Sequence, residues 1–199
     1  MPPKVPAMTL LIVGLLLFLG VHSVRIVAED FRSAQIARLG QNGWRSLYSL
    51  ASIAGFALIV WGFGVARQQP VVLWPTPTWL RHLASLLTLV SFVLVAAAYV
   101  PANGIKARLR HPMVLGVKAW ALAHLIANNT LAEMLLFGSF LVWAVFSYRA
   151  AKARDRAAAT SVAPGMASRT LATVVVGIAA WAGFTFWAHA ALIGVRPLA

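Results

Sequence analysis

Six apolar runs follow one another along this chain, and almost every charge falls in the gaps between them. A helix needs about 20 consecutive apolar residues to cross about 30 Å of hydrocarbon. The runs cover residues 7–27, 46–66, 82–100, 111–128, 131–148 and 170–195. No charge interrupts the sequence between Arg45 and Arg67, or between Arg169 and Arg196. Backbone immersed in lipid must satisfy its own hydrogen bonds, and a chain with open ends does so only as helix. The expected fold class is therefore all-α: a polytopic integral membrane helical bundle of about six transmembrane helices, a single domain over residues 1–199.

The charge pattern gives the expected orientation. The chain has 199 residues, 61% hydrophobic and only 11% charged, too few charges to cover a soluble domain. Of the 17 basic residues, twelve lie in the 25–45, 101–110 and 149–169 segments. Four lie elsewhere between runs (Lys4, Arg67, Arg81, Arg196), and Lys118 sits inside a run. Basic loops stay in the cytoplasm, so both termini are expected outside, with a bacterial inner membrane as the simplest host. The net charge of +13 is topology-setting charge on this reading, and no nucleic-acid partner is expected. The chain has no cysteine, so disulfides and thiolate metal sites are excluded. Its four acids are too few for a di-iron carboxylate bundle. The first run could alternatively be a cleaved signal peptide, with Pro2, Pro3, Lys4 and Pro6 ahead of it and Ile26-Val27-Ala28 as a poor cleavage site. The Trp- and Pro-rich 66–80 segment reads as an external connection at the interface, and 149–169 as a solvated linker. The fourth and fifth runs are joined only by Asn128, Asn129 and Thr130, a tight helical hairpin. The small residues Gly14, Gly20, Gly55, Gly62, Gly64, Gly138, Gly177 and Gly183 are expected to let helices approach closely.

Polar residues inside spans are the candidates for function, because lipid makes them costly. They are His22, His82, His111, Lys118, His124, Asn128 and His189. His82 follows Arg81 at an outer membrane edge, where a solvated histidine is ordinary. His189 can serve as an interhelical hydrogen bond. His111 precedes Pro112, so it either starts a helix or meets an anion or cofactor beside Arg108 and Arg110. His22 carries Arg25 and Glu29 along its stripe toward the cytoplasm. That pattern suits an iron porphyrin, with His22 as ligand and Arg25 on a propionate. His124 lies deep in the fourth run, with small Ala121 and Ala123 nearby to leave room for a flat group. A structural alternative stands beside this one: each histidine could be a buried hydrogen-bonding group holding helices together. At about 100° per residue His111 and His124 face different neighbours, whereas Lys118 shares the His111 face. Lys118 could snorkel, pair with Glu29 or neutralise an anion. His22 and His124 differ by about 10 Å in height along their runs, and axial ligands of one iron lie about 4 Å apart. The depths agree only if the fourth helix starts among the headgroups or the helices tilt.

HSVRIVA at 22–28, RHPMVLGVKAWALAHLIANNT at 110–130, and His189 with LIGVRP at 192–197 resemble the NnrU family over almost the whole chain. The resemblance implies a polytopic bacterial membrane protein associated with denitrification, in particular nitrite and nitric oxide reduction. The family is similar to 15-cis-zeta-carotene isomerase, a membrane enzyme with haem b. That enzyme shares His-Ser (His22-Ser23), Arg-His-Pro (Arg110-His111-Pro112) and Ala-His (Ala123-His124). The resemblance implies haem b held by His22 and His124. The isomerase's alternate cysteine ligand corresponds to Ala121 here, so its ligand switch is absent. Arg110-His111-Pro112 with Gly116 also resembles the first part of the cofactor motif in small membrane methyltransferases, which use S-adenosylmethionine. The expected second part falls in SYRAAKARDRAAAT, where Asp155 is the only acid. A third reading is a non-catalytic accessory factor for nitrogen-oxide reductases, which would have other membrane proteins of that metabolism as partners. Across these readings the candidate cofactor-binding residues are His22, His124, Arg25, His111 and Lys118, with His22 and His124 as metal ligands.

Overall fold

The computed structural model describes residues 7–159 and 161–198, so Pro2, Pro3, Lys4 and Pro6 lie outside the described residues. Among those described, every regular element is a helix, and the only strand-like pairs are two isolated bridges. The chain is a multi-pass membrane protein. Five helices are long and apolar enough to cross a bilayer, and a sixth, Pro112–Ala127, is shorter. The chain groups into two compact units, Met1–Trp74 with Thr130–Ser139 and Pro75–Asn129 with Phe140–Ala199.

In the first unit α1 (Ala7–Val27) packs along α2 (Glu29–Ala66). Small residues set the approach. A Cβ added at Gly14 would lie 2.6 Å from the Ile59 nitrogen, and one at Gly55 would lie 2.8 Å from the Phe18 nitrogen. One at Gly62 would collide with the Leu11 backbone. Leu11, Leu15 and Leu19 are buried along this seam. The first run is therefore a packed helix of the fold. Between the first two runs the sequence suggests a loop, yet α2 begins at Glu29 and runs 38 residues, broken only at Gly40 (φ 72°, ψ 165°). That φ lies in the left-handed region where glycine carries no Cβ penalty. Glu29 and Asp30 in the first turn oppose the helix dipole favourably. At the other end, the Leu131 N–H donates to the Val71 carbonyl at 2.9 Å, and Val72 bridges Thr130. The connection after α2 and the turn before α6 (Leu131–Ala157) are thus tied together. Thr130 and Glu133 form a reciprocal cap at the start of α6: the Thr130 N–H donates to the Glu133 carboxylate at 3.0 Å and the Glu133 N–H to Thr130 Oγ1 at 3.4 Å.

In the second unit α3 (Trp79–Tyr99) is flanked by α5 (Pro112–Ala127) and α7 (Ala167–Gly183). Ser91 is buried, and its hydroxyl donates to the Gly116 carbonyl at 2.8 Å. A Cβ at Gly177 would lie 2.6 Å from Val93 Cα. Of the glycines the sequence suggests for close packing, Gly14, Gly55, Gly62 and Gly177 do this, whereas Gly20, Gly64, Gly138 and Gly183 have nothing within 4 Å of an added Cβ. Gly116 is a contact the pattern does not reveal. Between α3 and α5 lies the short α4 (Gly104–Leu109), capped by Asn103, whose Oδ1 accepts from the Lys106 N–H at 2.8 Å. The Asn103 amide donates to the Ala97 and Val100 carbonyls at 2.9 and 2.6 Å, and only 1% of the residue is exposed. This turn is knitted to the segment before α7 by Met166 N–H to Ala102 O and Gly104 N–H to Thr170 Oγ1, both 2.8 Å. The last apolar run is not one uniform helix: α7 passes into a π-helical turn, Phe184–Ala188, and then α8 (His189–Ile193).

α5 has 16 residues, about 24 Å of helix at about 1.5 Å per residue, against about 30 Å of hydrocarbon. α5 runs antiparallel to α6: His111 meets Tyr148 and Asp155 at one end, and Trp120 meets Phe140 further along. α6 is 27 residues, about 40 Å, so its charged tail from Arg149 onward extends past the apolar run.

Candidate functional site

His22 and His124 stand on different helices but are built alike. His22 Nδ1 donates to the Phe18 carbonyl at 2.7 Å, one turn earlier on α1. His124 Nδ1 donates to the Trp120 carbonyl at 2.8 Å, one turn earlier on α5. A carbonyl only accepts, so Nδ1 carries the proton in both rings, and in the neutral form the lone pair is on Nε2. Each ring lies against the aromatic at i−4: Phe18 stacks on His22 at 4.2 Å, and Trp120 tilts against His124 at 5.2 Å. Tyr48 of α2 also lies against His22, with ring centres 5.2 Å apart. Both histidines are half-buried. A histidine that ligates a metal almost always donates its other N–H to a carbonyl or carboxylate, which fixes tautomer and ring orientation. The chemistry of these two donors therefore fits an iron porphyrin. Arg25 lies one turn beyond His22, 61% exposed, with Glu29 at 3.9 Å. Arg32 holds Glu29 more closely, at 2.7 Å.

His111 is positioned by an unusual turn. Arg110 has φ 64° and ψ −45°, and the His111 N–H donates to the Leu109 carbonyl at 2.8 Å. That two-residue hydrogen bond around a positive φ is the rare, strained hand of γ-turn. What holds it is Asp155 in the tail of α6. His111 Nε2 donates to Asp155 Oδ2 at 2.9 Å, and Arg110 lies 3.6 Å from the same oxygen. Burial pushes the Asp155 carboxyl up, but the His111 hydrogen bond and charge, followed by Arg110, outweigh it and hold the group below its ordinary value. His111 thus starts α5 and locks it to α6. Lys118, on the same face, has Nζ 5.5 Å from the centre of the Tyr148 ring, a cation–π contact. Glu29 has Arg32 on its own helix and Arg25 on the one before it as partners. The two polar stripes of α5 therefore have different partners: Tyr148 and Asp155 for His111 and Lys118, and Trp120 for His124.

Three features modify the sequence reading. Ala121 and Ala123, the small residues near His124, are fully buried. The start of α5 lies between Tyr148 and Asp155 of α6, beyond the apolar run. His189 donates from Nδ1 to the Val195 carbonyl at 2.7 Å, across the turn at Gly194 that ends its own helix rather than to another helix. His82 is exposed, and Asn128 ends α5 as its C-cap. Tyr48, Tyr148 and Asp155 are the partners that sequence reasoning misses. The one available signal is that Asp155 is among only four acids in the chain. Among the described residues no group of three or more His, Asp or Glu gathers to hold a metal ion.

The family model described as NnrU protein matches residues 10–197, which takes in both compact units. The chain belongs to the NnrU family. The NnrU match contains every candidate residue, from His22 to His189. Comparisons with curated proteins and with solved structures give no match.

Proposed function

We propose that this NnrU-family protein binds haem b, which His22 and His124 would hold, and serves nitrite and nitric oxide reduction in a bacterial inner membrane. What supports the reading is the shared construction of the two histidines, each with Nδ1–H on the i−4 carbonyl and an aromatic ring against one side. Two independent sites in one sequence carry the preparation that iron ligation asks of an imidazole. Arg25, on the stripe of His22, is the cation that would meet a propionate. When bound, a haem with two histidine ligands supplies one-electron transfer or sensing. The chain's own contribution is to fix each imidazole's tautomer, to shield it with Phe18, Tyr48 and Trp120, and to present a cation at the membrane edge. His111 has a separate task, clamping α5 to α6 through Asp155.

Three substitutions test the assignment in the detergent-purified protein. His22→Ala and His124→Ala are each expected to abolish or shift the haem Soret band. His111→Ala is expected to keep the haem and lower thermal stability. Loss of haem in His111→Ala alone would overturn the ligand assignment. It would favour a cofactor on the Arg110-His111-Pro112 turn, the position where small membrane methyltransferases take S-adenosylmethionine.

A further inference from the structure

The tail of α6 carries a second feature that the histidines do not use. Tyr148, Arg149, Ala150, Lys152, Ala153 and Arg156 line a depression of about 520 Å³, open on one side. At about 100° per residue, positions 148, 149, 152, 153 and 156 fall within one sector of the helix, roughly 140° wide. Asp155, seven residues after Tyr148, falls at the edge of that sector, where its carboxylate is held by Arg110 and His111. The face therefore carries Arg149, Lys152 and Arg156, and the one acid at its edge is already paired with Arg110 and His111. Among the described residues, no side-chain hydrogen bond or ion pair of Arg149, Lys152 or Arg156 is found. Lys118 adds a fourth cation, reaching from α5 to the Tyr148 ring at the edge of the depression. The three other acids of the chain are Glu29, Asp30 and Glu133, and none neighbours this face in sequence.

The level of the depression narrows the choice of ligand. Tyr148 ends the apolar run of α6, and the cations begin at the next residue. An aromatic with a polar tip followed by basic groups marks the passage from hydrocarbon to headgroups. Ala150 and Ala153 give the floor apolar patches between the charges. We infer that this depression binds the phosphodiester headgroup of an anionic phospholipid in the cytoplasmic leaflet. Arg149, Lys152 and Arg156 meet the phosphate, and Tyr148 and the alanines lie against the glycerol and upper acyl chain. Basic pockets beside transmembrane helices on the cytoplasmic side have this recognition chemistry. The inference does not depend on haem.

The test is native mass spectrometry of the full chain in detergent, titrated with phosphatidylglycerol, with phosphatidylcholine, and with phosphatidylglycerol in the presence of millimolar inorganic phosphate. Two charge-matched triple variants are compared. One is Arg149→Gln with Lys152→Gln and Arg156→Gln. The other is Arg38→Gln with Arg45→Gln and Arg108→Gln, which removes the same charge elsewhere. Glutamine keeps helix propensity close to that of arginine and lysine. Each basic group near an anionic surface is worth roughly a factor of five in binding, so the first triple is expected to lose about 100-fold in phosphatidylglycerol affinity. The second is expected to lose little, and phosphatidylcholine is expected to bind the wild type at least about ten-fold more weakly. Equal losses in the two triples would overturn the site in favour of diffuse attraction. Displacement by inorganic phosphate would overturn the lipid in favour of a free phosphate ligand. If the first triple fails to fold, Lys152→Glu alone must still reduce phosphatidylglycerol affinity, and an unchanged affinity there would also overturn the site.

Discussion

Among single residues, Asp155 is the one on which most depends. It is the carboxylate that receives both His111 and Arg110, and it stabilises a backbone turn that Arg110 adopts at a cost. Its pKa is lowered in the folded protein, so its contribution is present above the ordinary carboxyl value, about 4, and is lost as pH falls through the lower folded value. Thermal unfolding in detergent is expected to shift downward in the wild type as pH is taken from about 5 to about 3. Asp155→Asn is expected to start from a lower midpoint at neutral pH and to show a flatter response over that interval. An unchanged midpoint in Asp155→Asn would contradict the clamp. The candidate histidines are legible in the sequence because lipid makes polar residues conspicuous. Their hydrogen-bond partners are not, because the i−4 carbonyls of Phe18 and Trp120 are backbone groups that carry no sequence signature. Asp155 escapes for another reason: it stands among arginines, where sequence alone suggests a solvated linker.

At the scale of helices, seams are set by where one backbone can meet another. In lipid, burial gives helices little reason to associate, so close van der Waals contact carries more of the load. Gly62→Val or Gly14→Val is expected to push α1 off α2 and to cost about 1–3 kcal/mol by overpacking. Gly20→Ala, with nothing within 4 Å of its new methyl, is expected to be neutral or slightly stabilising. Thermal melts of the three variants in one detergent would check this, and equal effects at Gly20 and Gly62 would contradict the seam. Thr130→Ala is expected to remove the cap of α6 and cost about 1 kcal/mol, read from the same melts. The sequence shows that glycines are available for packing but not which of them are used. That depends on helix rotation and register, and Gly116 and Gly20 look equally suitable in the sequence. The long α2 is hidden for a related reason: Glu29 to Leu39 is polar enough to read as loop, and its helical state follows from first-turn acids and one glycine kink.

For the whole molecule, the apolar runs and their charged borders carry most of the architecture. Length and hydrophobicity decide what can cross, and the basic segments decide orientation. The short α5 shows where counting runs falls short: the apolar run covers residues 111–128, but the helix is only the 16 residues Pro112–Ala127. The chain has no cysteine, so single cysteines can be introduced without background. Gln69→Cys is expected to react with an impermeant thiol reagent from outside the cell. Lys106→Cys and Ser161→Cys are expected to react only after permeabilisation. Labelling of positions 69 and 106 from the same side would contradict a crossing by the third run. The division into two compact units is not legible in the run pattern, because it cuts through α6 at Ser139 and leaves one continuous helix in both. The central claim, haem held by His22 and His124, is tested most directly by the absorption spectrum of the purified wild-type protein, oxidised and then reduced with dithionite. The expected result is a Soret band with sharp reduced α and β bands at about one haem per chain, the signature of a low-spin iron with two imidazole ligands. A protein that is folded, was expressed with haem supplied, and shows no Soret band would contradict it.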